Sequence, residues 1–343
     1  MSIPSVLTII LNYKTPEMTL RAAAAAMREM RGLAGKIVIV DNNSRDGSFE
    51  LILSKISHSK WPVDRIEVVQ SDQNGGFGAG NNFGIQREIA TRVYDYVYIL
   101  NSDAFPNRGS IYALLEHLQI NTRSGIAGSY IHGPEGDPHL TAFRFPSIWG
   151  ELEGAARVGI ISKMLKQYIV PLPIPNKTIN VNWVAGASMM IRMEMLEKID
   201  LFDENFFLYF EETDLCLRAA QAGWTTDYVR NSEVTHIGSV STGMKSWARV
   251  PSYWFDSRLH YFQKNHGSLY AGAATLAHIS GYMIWRLKCL IKKQPQHNPS
   301  QFLRDLVSHY VYSFFRPLPF SQNSIPKFAP PANSMRSKNK HGS

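Results

Sequence analysis

VLTIILNYKTP, residues 6–16, is a short apolar run rich in β-branched side chains that closes on Asn12 and turns at once into a helix start. So continuous an apolar run reads as a strand buried on both faces. Thr15 stands where a helix N-cap belongs, with Pro16 at the first helical position, opening an Ala-rich helix to about Met30. The pattern then repeats. Lys36–Val40 (KIVIV) is a second strand with a helix near Ser48–Ile56, and Arg65–Gln70 is a third with a helix from about Gly80. Tyr94–Leu100 is a fourth strand, and a helix at Ser110–Asn121 leads to a fifth near Ile126–Tyr130. Strand and helix alternating at this spacing predict an α/β domain with a parallel, doubly wound sheet.

Ligands bind such sheets at the carboxyl ends of the strands. Those ends read Asn12-Tyr13-Lys14, Asp41-Asn42-Asn43-Ser44, Asn74-Gly75-Gly76-Phe77-Gly78 and Asn101-Ser102-Asp103, all polar and two carrying a carboxylate. The second half is less regular. Residues 132–180 read as a long Gly- and Pro-rich loop, Asn182–Arg192 as a strand holding Gly186, and Thr226–Val229 and Glu233–Ile237 as further strands. Helical segments follow at about 252–265, 268–291 and 300–315, and the chain beyond Pro317 reads as disordered.

The 343 residues, 44% hydrophobic and 19% charged, are enough for a sizeable core and exclude a disordered or collagen-like polymer. Cys216 and Cys289 are the only cysteines, which excludes a disulfide scaffold and a Cys-rich zinc site and fits a reducing cytoplasm. No secretory leader is read in Met1–Tyr13. The net charge of +8 raises nucleic acid or an anionic membrane as partner. Its distribution decides more: residues 286–343 hold ten Lys or Arg against one acid, Asp305, leaving 26 basic and 27 acidic residues before them. A neutral body carries a basic tail, and no nucleic-acid motif accompanies it.

Each constellation has a plain structural reading beside a chemical one. The five glycines of Asn74–Gly84 (NGGFGAGNNFG) suit backbone N–H groups approaching an anion, or a simple turn; the dinucleotide spacing fails at Asn81 and Phe83. Asp103 is an apt ligand for a divalent cation on a nucleotide diphosphate, or caps the next turn. Asp41 suits the imide N–H of a pyrimidine, or belongs to a turn. Glu211, Asp214 and Arg218 share one face of a helix-like segment while Glu212 points about 100° away, so the two adjacent acids serve different faces. One suits a general base; an exposed ion-paired turn is the other reading. His236, before Gly238, Ser239, Ser241 and Thr242, is a structural histidine or a further metal ligand.

Taken in order over residues 5–265, these motifs resemble glycosyltransferase family 2, and within it rhamnosyltransferase-like bacterial members. The resemblance rests on Asp41-Asn42-Asn43-Ser44, Asn74–Gly84, Asn101-Ser102-Asp103, and the run from Phe202-Asp203-Glu204 through Phe207, Glu211, Glu212, Asp214 and Arg218 to Gly223-Trp224. It implies a GT-A (Rossmann-like) nucleotide-diphospho-sugar transferase fold over 1–265; beyond it the residues themselves read as a C-terminal extension of amphipathic helices over 266–318 and a disordered basic tail over 319–343. It implies an inverting enzyme using Mg2+ or Mn2+ and a dTDP- or UDP-sugar, best L-rhamnose from dTDP-L-rhamnose, and a glycan or lipid-linked glycan acceptor.

Carried over residue by residue, the nucleotide-sugar side comprises Asn12, Asp41, Asn43, Asn74, Gly76, Phe77, Asn81, Asn101, Ser102 and Gly186. Asp103 takes the last position of the family's D-x-D, whose first is Asn101 here, and His236 is the further metal ligand. Glu212 is the base, with Glu211 as second candidate because the family's E-D pair reads Glu-Glu; Asp214 and Arg218 support it. A pyrophosphorylase would carry a basic Gly-rich loop where Asn12–Pro16 stands; a galactosyl or other hexosyl transferase and a non-catalytic sugar-binding homologue stay in play. The basic tail beside the apolar helices Leu269–Ile291 and Gln301–Phe315 suits the inner face of the cytoplasmic membrane, Leu269–Ile291 reading as an interfacial or bundle-packed helix before a span.

Overall fold

The computed structural model of the protein describes residues 4–238, 247–293, 299 and 301–315. In chain order the first elements are β1 (Ser5–Asn12), α1 (Pro16–Glu29), β2 (Ala34–Asp41), α2 (Ser48–Ser57), β3 (Ile66–Gln70), α3 (Gly76–Ile89), β4 (Tyr96–Asn101), β5 (Ala104–Pro106), α4 (Ser110–Ile120) and β6 (Ser124–His132). There follow β7 (Ala142–Phe143), α5 (Ile148–Ala156), α6 (Gly159–Met164), β8 (Ile179–Val181), β9 (Trp183–Val184) and β10 (Ser188–Arg192). The last are α7 (Met193–Ile199), α8 (Glu211–Gln221), β11 (Thr225–His236), α9 (Ser252–His266), α10 (Ser268–Lys292) and α11 (Phe302–Phe315).

The main sheet runs β3-β2-β1-β4-β10-β6-β11-β5. Val6, Leu7, Ile9 and Ile10 of β1 are wholly buried because helices cover both faces. Val6 and Ile10 pack on one side with Ala22, Ala23, Ala26 and Met30, the small residues letting α1 lie close. Leu7 and Ile9 pack on the other with Ile85 of α3 and Leu215, Cys216 and Ala219 of α8. Thr15 does occupy the N-cap position, with Pro16 behind it, but its side chain does not cap α1. The Asn12 side-chain carbonyl takes that work, accepting from the Thr15 N–H at 3.3 Å and the Thr19 hydroxyl at 2.7 Å.

Five expectations are corrected. The sheet is mixed rather than parallel: β10 enters between β4 and β6 antiparallel to both, with Ser188 opposite Leu100 and Met189 opposite Gly128. A buried apolar strand carries no mark of its direction, and an antiparallel entry needs no helical crossover. The strand expected over Asn182–Arg192 is broken into β9 and β10, and the loop expected over 132–180 holds β7, α5, α6 and β8. The helix-like segment from Phe206 becomes helical only at Glu211, as α8. The helix expected from Gly80 starts at Gly76. Its glycines lower helix propensity but are required by proximity, since a Cβ at Gly80 would lie 2.4 Å from Leu11 and one at Gly84 2.8 Å from Val40.

The C-terminal helices are clamped to the body. Gly281 of α10 lies against the Leu152 carbonyl of α5, where a Cβ would come within 2.5 Å. Between them Glu151 meets Arg258 Nη2 and His278 Nδ1, each at 2.7 Å. Burial opposes the Glu151 charge, but the Arg258 guanidinium and the His278 hydrogen bond prevail and hold its carboxyl at about 2. Among the described residues no helix is long and apolar enough to cross a membrane. The tail expected over 319–343 lies outside the described residues.

Candidate active site

The ends of β1 and β2 are locked to each other. Asp41 is wholly buried and accepts from Asn12 Nδ2 at 2.7 Å, from the Ser44 hydroxyl at 2.6 Å and N–H at 3.1 Å, and from Gln70 Nε2 at 3.1 Å. These four donors fill the carboxylate, so contact with a base requires exposed Gln70 to yield its place. Asn12 is likewise enclosed, and the expectation that it touches a ligand is corrected: it shapes the loop. Asn43 sits half-buried in the left-handed region (φ 54°) and donates to the Asp72 carbonyl at 2.7 Å. Asn42, which sequence reasoning passed over, ties this loop to α3 through Asn74 Oδ1 (2.9 Å) and the Gly76 carbonyl (3.0 Å).

The N-terminus of α3 docks on protein. The Gly76 N–H donates to Asn74 Oδ1 at 3.1 Å and the Phe77 N–H to the Phe207 carbonyl at 2.9 Å. Gly76 has φ +88°, and a Cβ there would meet the Phe207 carbonyl oxygen at 1.8 Å. The glycines expected to cradle an anion therefore serve close packing here. Asn81 is enclosed within α3; its Nδ2 donates to the Phe77 carbonyl at 2.9 Å, and its Oδ1 is buried without a hydrogen-bond partner. Asn82, also unforeseen, clamps the Phe202 carbonyl at 2.9 Å and N–H at 3.1 Å. As side chains at helical spacing, Asn42, Asn81 and Asn82 are indistinguishable in sequence from turn and loop formers.

Asp103 and His236 meet, as expected. β5 pairs antiparallel with β11, setting His236 opposite Ala104, and so brings His236 Nε2 to 3.0 Å from Asp103 Oδ1. The Gly238 N–H donates to Oδ2 at 3.1 Å. Burial works against the Asp103 charge, but the His236 contact prevails and holds its carboxyl below the usual range. His139, unforeseen in a Gly- and Pro-rich stretch, places its ring 6.0 Å from that of His236. One carboxylate and one imidazole form an open donor set, with no third His, Cys, Asp or Glu joining among the described residues. That set fits a hard divalent cation completed by phosphate oxygens and water. Beside it, the Asn101 N–H donates to the Ala187 carbonyl at 3.0 Å and Ser102 accepts from the Thr15 hydroxyl at 3.1 Å.

Glu211 and Glu212 sit side by side at the start of α8. Glu211, 2% exposed, is buried, and Glu212 is half-buried. Each has an Oε2 enclosed without a hydrogen-bond partner. Burial pushes both carboxyls up, Glu211 furthest because the Glu212 charge adds to it, while backbone N–H groups, Gly186's among them, support the Glu212 carboxylate. Burial and their mutual repulsion bias this adjacent pair toward holding a proton, Glu211 more strongly. Gly186 makes room, since a Cβ there would lie 3.2 Å from the Phe77 ring and 3.9 Å from Glu212 Cβ. Tyr209 and Phe210, at φ 70° and 69°, hold strained left-handed backbone immediately before the pair.

Asp214 and Arg218 brace this arrangement. Asp214, wholly buried, binds Arg218 Nε and Lys264 Nζ at 2.8 Å each and Asn265 Nδ2 at 3.0 Å. Lys264 also reaches Asp203 at 2.8 Å, and Arg218 donates to the Leu201 carbonyl at 2.7 Å, so α8, α9 and residues 199–203 move as one body.

A family model described as glycosyl transferase family 2 matches residues 5–199. The N-acetylglucosaminyl-diphospho-decaprenol L-rhamnosyltransferase of Mycobacterium tuberculosis is 28% identical over 220 residues, 60% of this chain and 68% of that one. The low-salt glycan biosynthesis hexosyltransferase Agl10 of Haloferax volcanii is 30% identical over 215 residues, 62% of this chain and 60% of its own. The rhamnosyltransferase WbbL of Escherichia coli is 24% identical over 210 residues, covering 59% and 72%. Among solved structures, the mannosyltransferase PcManGT of Pyrobaculum calidifontis with GDP-Man and Mn2+ superposes with a TM-score of 0.56 at 13% identity, over 93% of this chain and 83% of that one. GalNAc-T7 with UDP, GalNAc and Mn2+ does so at 0.56 and 12%, over 93% and 59%.

Proposed function

The chain belongs to glycosyl transferase family 2 with a GT-A fold, and on that premise we propose an inverting, metal-dependent enzyme that moves L-rhamnose from dTDP-L-rhamnose to a hydroxyl of a glycan or lipid-linked glycan in surface polysaccharide synthesis. The observation that carries it is Glu212: a half-buried carboxyl with one oxygen unpartnered, raised by burial, on the sheet edge that also holds Asp103 and His236. An unpartnered buried oxygen costs stability unless a ligand supplies a donor, which an acceptor hydroxyl does.

In this reading Glu212 takes the proton of the attacking hydroxyl as its oxygen forms a bond to the anomeric carbon. The bond to the nucleoside diphosphate breaks on the opposite side, so the configuration inverts. Glu211, buried beside it at the start of α8, is the second candidate for the base. Asp103 and His236 would hold a divalent cation, which when bound neutralises charge on the departing diphosphate. Rhamnose is favoured because two of the relatives are named rhamnosyltransferases; a hexosyl donor is the second reading, from the Haloferax relative. Nucleoside diphosphate release from a panel of dTDP- and UDP-sugars with Mg2+ or Mn2+ tests both: turnover of dTDP-L-rhamnose is expected, turnover of UDP-hexoses alone replaces the donor, and no turnover with any donor sinks the enzyme reading.

Its place of work follows from α10. Leu276, Met283, Leu287, Leu290 and Ile291 are 52–73% exposed, and Leu269 is 94% exposed. Arg286, Lys292 and Lys293 stand exposed beside them. Apolar side chains flanked by basic ones suit an anionic bilayer, here the inner face of the cytoplasmic membrane. Leu276→Gln, Leu287→Gln and Leu290→Gln together should cut co-sedimentation with phosphatidylglycerol vesicles about tenfold or more. Undiminished sedimentation would refute this placement.

A further inference from the structure

We propose that Phe207, Tyr209, Trp247 and Tyr253 form a platform for the pyranose ring that carries the acceptor hydroxyl; this rests on the transferase reading above. Two stretches remote in sequence converge to build it. Tyr209 lies 5.9 Å from Trp247 and 6.4 Å from Tyr253 between ring centroids, Tyr253 lies 5.4 Å from Phe207, and Trp247 lies 6.2 Å from Tyr253. Phe207 is exposed, and the other three are half-buried. The neighbours Trp254 and Phe255 pack on Phe302, and Trp254 also on Phe210.

The platform abuts the base. Tyr209 opens the strained turn that leads into Glu211 and Glu212. The Phe207 carbonyl holds the Phe77 N–H at 2.9 Å, and the Phe77 ring lies against Gly186, itself beside Glu212 Cβ. An acceptor hydroxyl must come within about 3 Å of Glu212 for its proton to transfer. On this proposal the ring bearing that hydroxyl lies on these aromatic faces. Their electron-rich faces match the C–H face of a pyranose, and stacking over them turns the hydroxyl toward Glu212. The turn's backbone is tied down by the Ser257 hydroxyl on the Leu208 carbonyl at 3.0 Å, so the platform is rigid where it meets the acids.

The test measures direct binding of methyl and octyl β-D-N-acetylglucosaminide, without donor, to the full chain and to Tyr253→Ala, Trp247→Ala, Tyr253→Phe and Trp247→Phe. Melting temperature and nucleoside diphosphate binding with Mn2+ certify the fold of each variant. The alanine variants should weaken both glycosides at least tenfold, and the phenylalanine variants less than threefold. Equal binding by the alanine variants overturns the platform, as does weakening confined to the octyl glycoside, which would assign the rings to a lipid chain. Since no donor is present, failure of the wild type to turn over any sugar nucleotide is read separately and counts against the transferase reading alone.

Discussion

Glu212→Gln lowers turnover by about 10²–10⁴-fold while affinity for the nucleotide sugar stays within about twofold. The amide keeps the size and the Gly186 contact of the carboxyl but cannot accept a proton. Glu211→Gln sets the contrast. Glu211 is not the base in the proposed mechanism, so its amide should turn over near the wild-type rate. The pH dependence has a definite sign. Activity requires Glu212 ionised, so it falls as pH drops through a carboxyl raised above the ordinary value of 4.5. Glu211 has a raised folded-state value, so the stability it contributes is intact in acid and fades as pH rises through that value; Glu211→Gln should remove that alkaline loss. Single-turnover kinetics across pH and melting curves decide these points. Wild-type turnover in the Glu212→Gln enzyme would move the base elsewhere.

Asp103→Asn and His236→Ala each loosen the Mn2+-dependent part of nucleotide binding by about 10–100-fold, while binding without metal changes little. Asn keeps the shape of Asp103 and its hydrogen bond to the Gly238 N–H but loses the charge that a hard cation needs. Removing His236 takes away the partner that keeps Asp103 ionised, so the double variant should lose less than the sum of the two single losses. Nucleotide titrations with and without Mn2+, together with Mn2+ paramagnetic resonance, read this out independently of turnover. Equal metal dependence in wild type and Asp103→Asn would reject the pair as the metal centre.

β1 to β4 were legible because an apolar run between polar ends has few other readings once both faces are buried. The meeting of Asp103 and His236 was legible only from the order of motifs, since 133 positions separate them and the β5–β11 register that joins them has no local signature. The direction of β10 was not legible, because Met189, Met190 and Ile191 would be buried either way. Glycine misled most. Gly76, Gly80 and Gly84 do mark places where a Cβ is not tolerated, yet the occupant is Phe207, Leu11 or Val40 rather than a ligand. A glycine reports that space is taken and is silent on what takes it.

The clamp of Glu151 by Arg258 and His278 also sets a timetable for synthesis. Glu151 is made more than a hundred residues before either partner, and until they emerge its carboxylate has no cation to lie against. A buried charge without its partner is strongly unfavourable, so a chain ending at His266 would leave Glu151 without His278 and carry an open seam along α5 where α10 belongs.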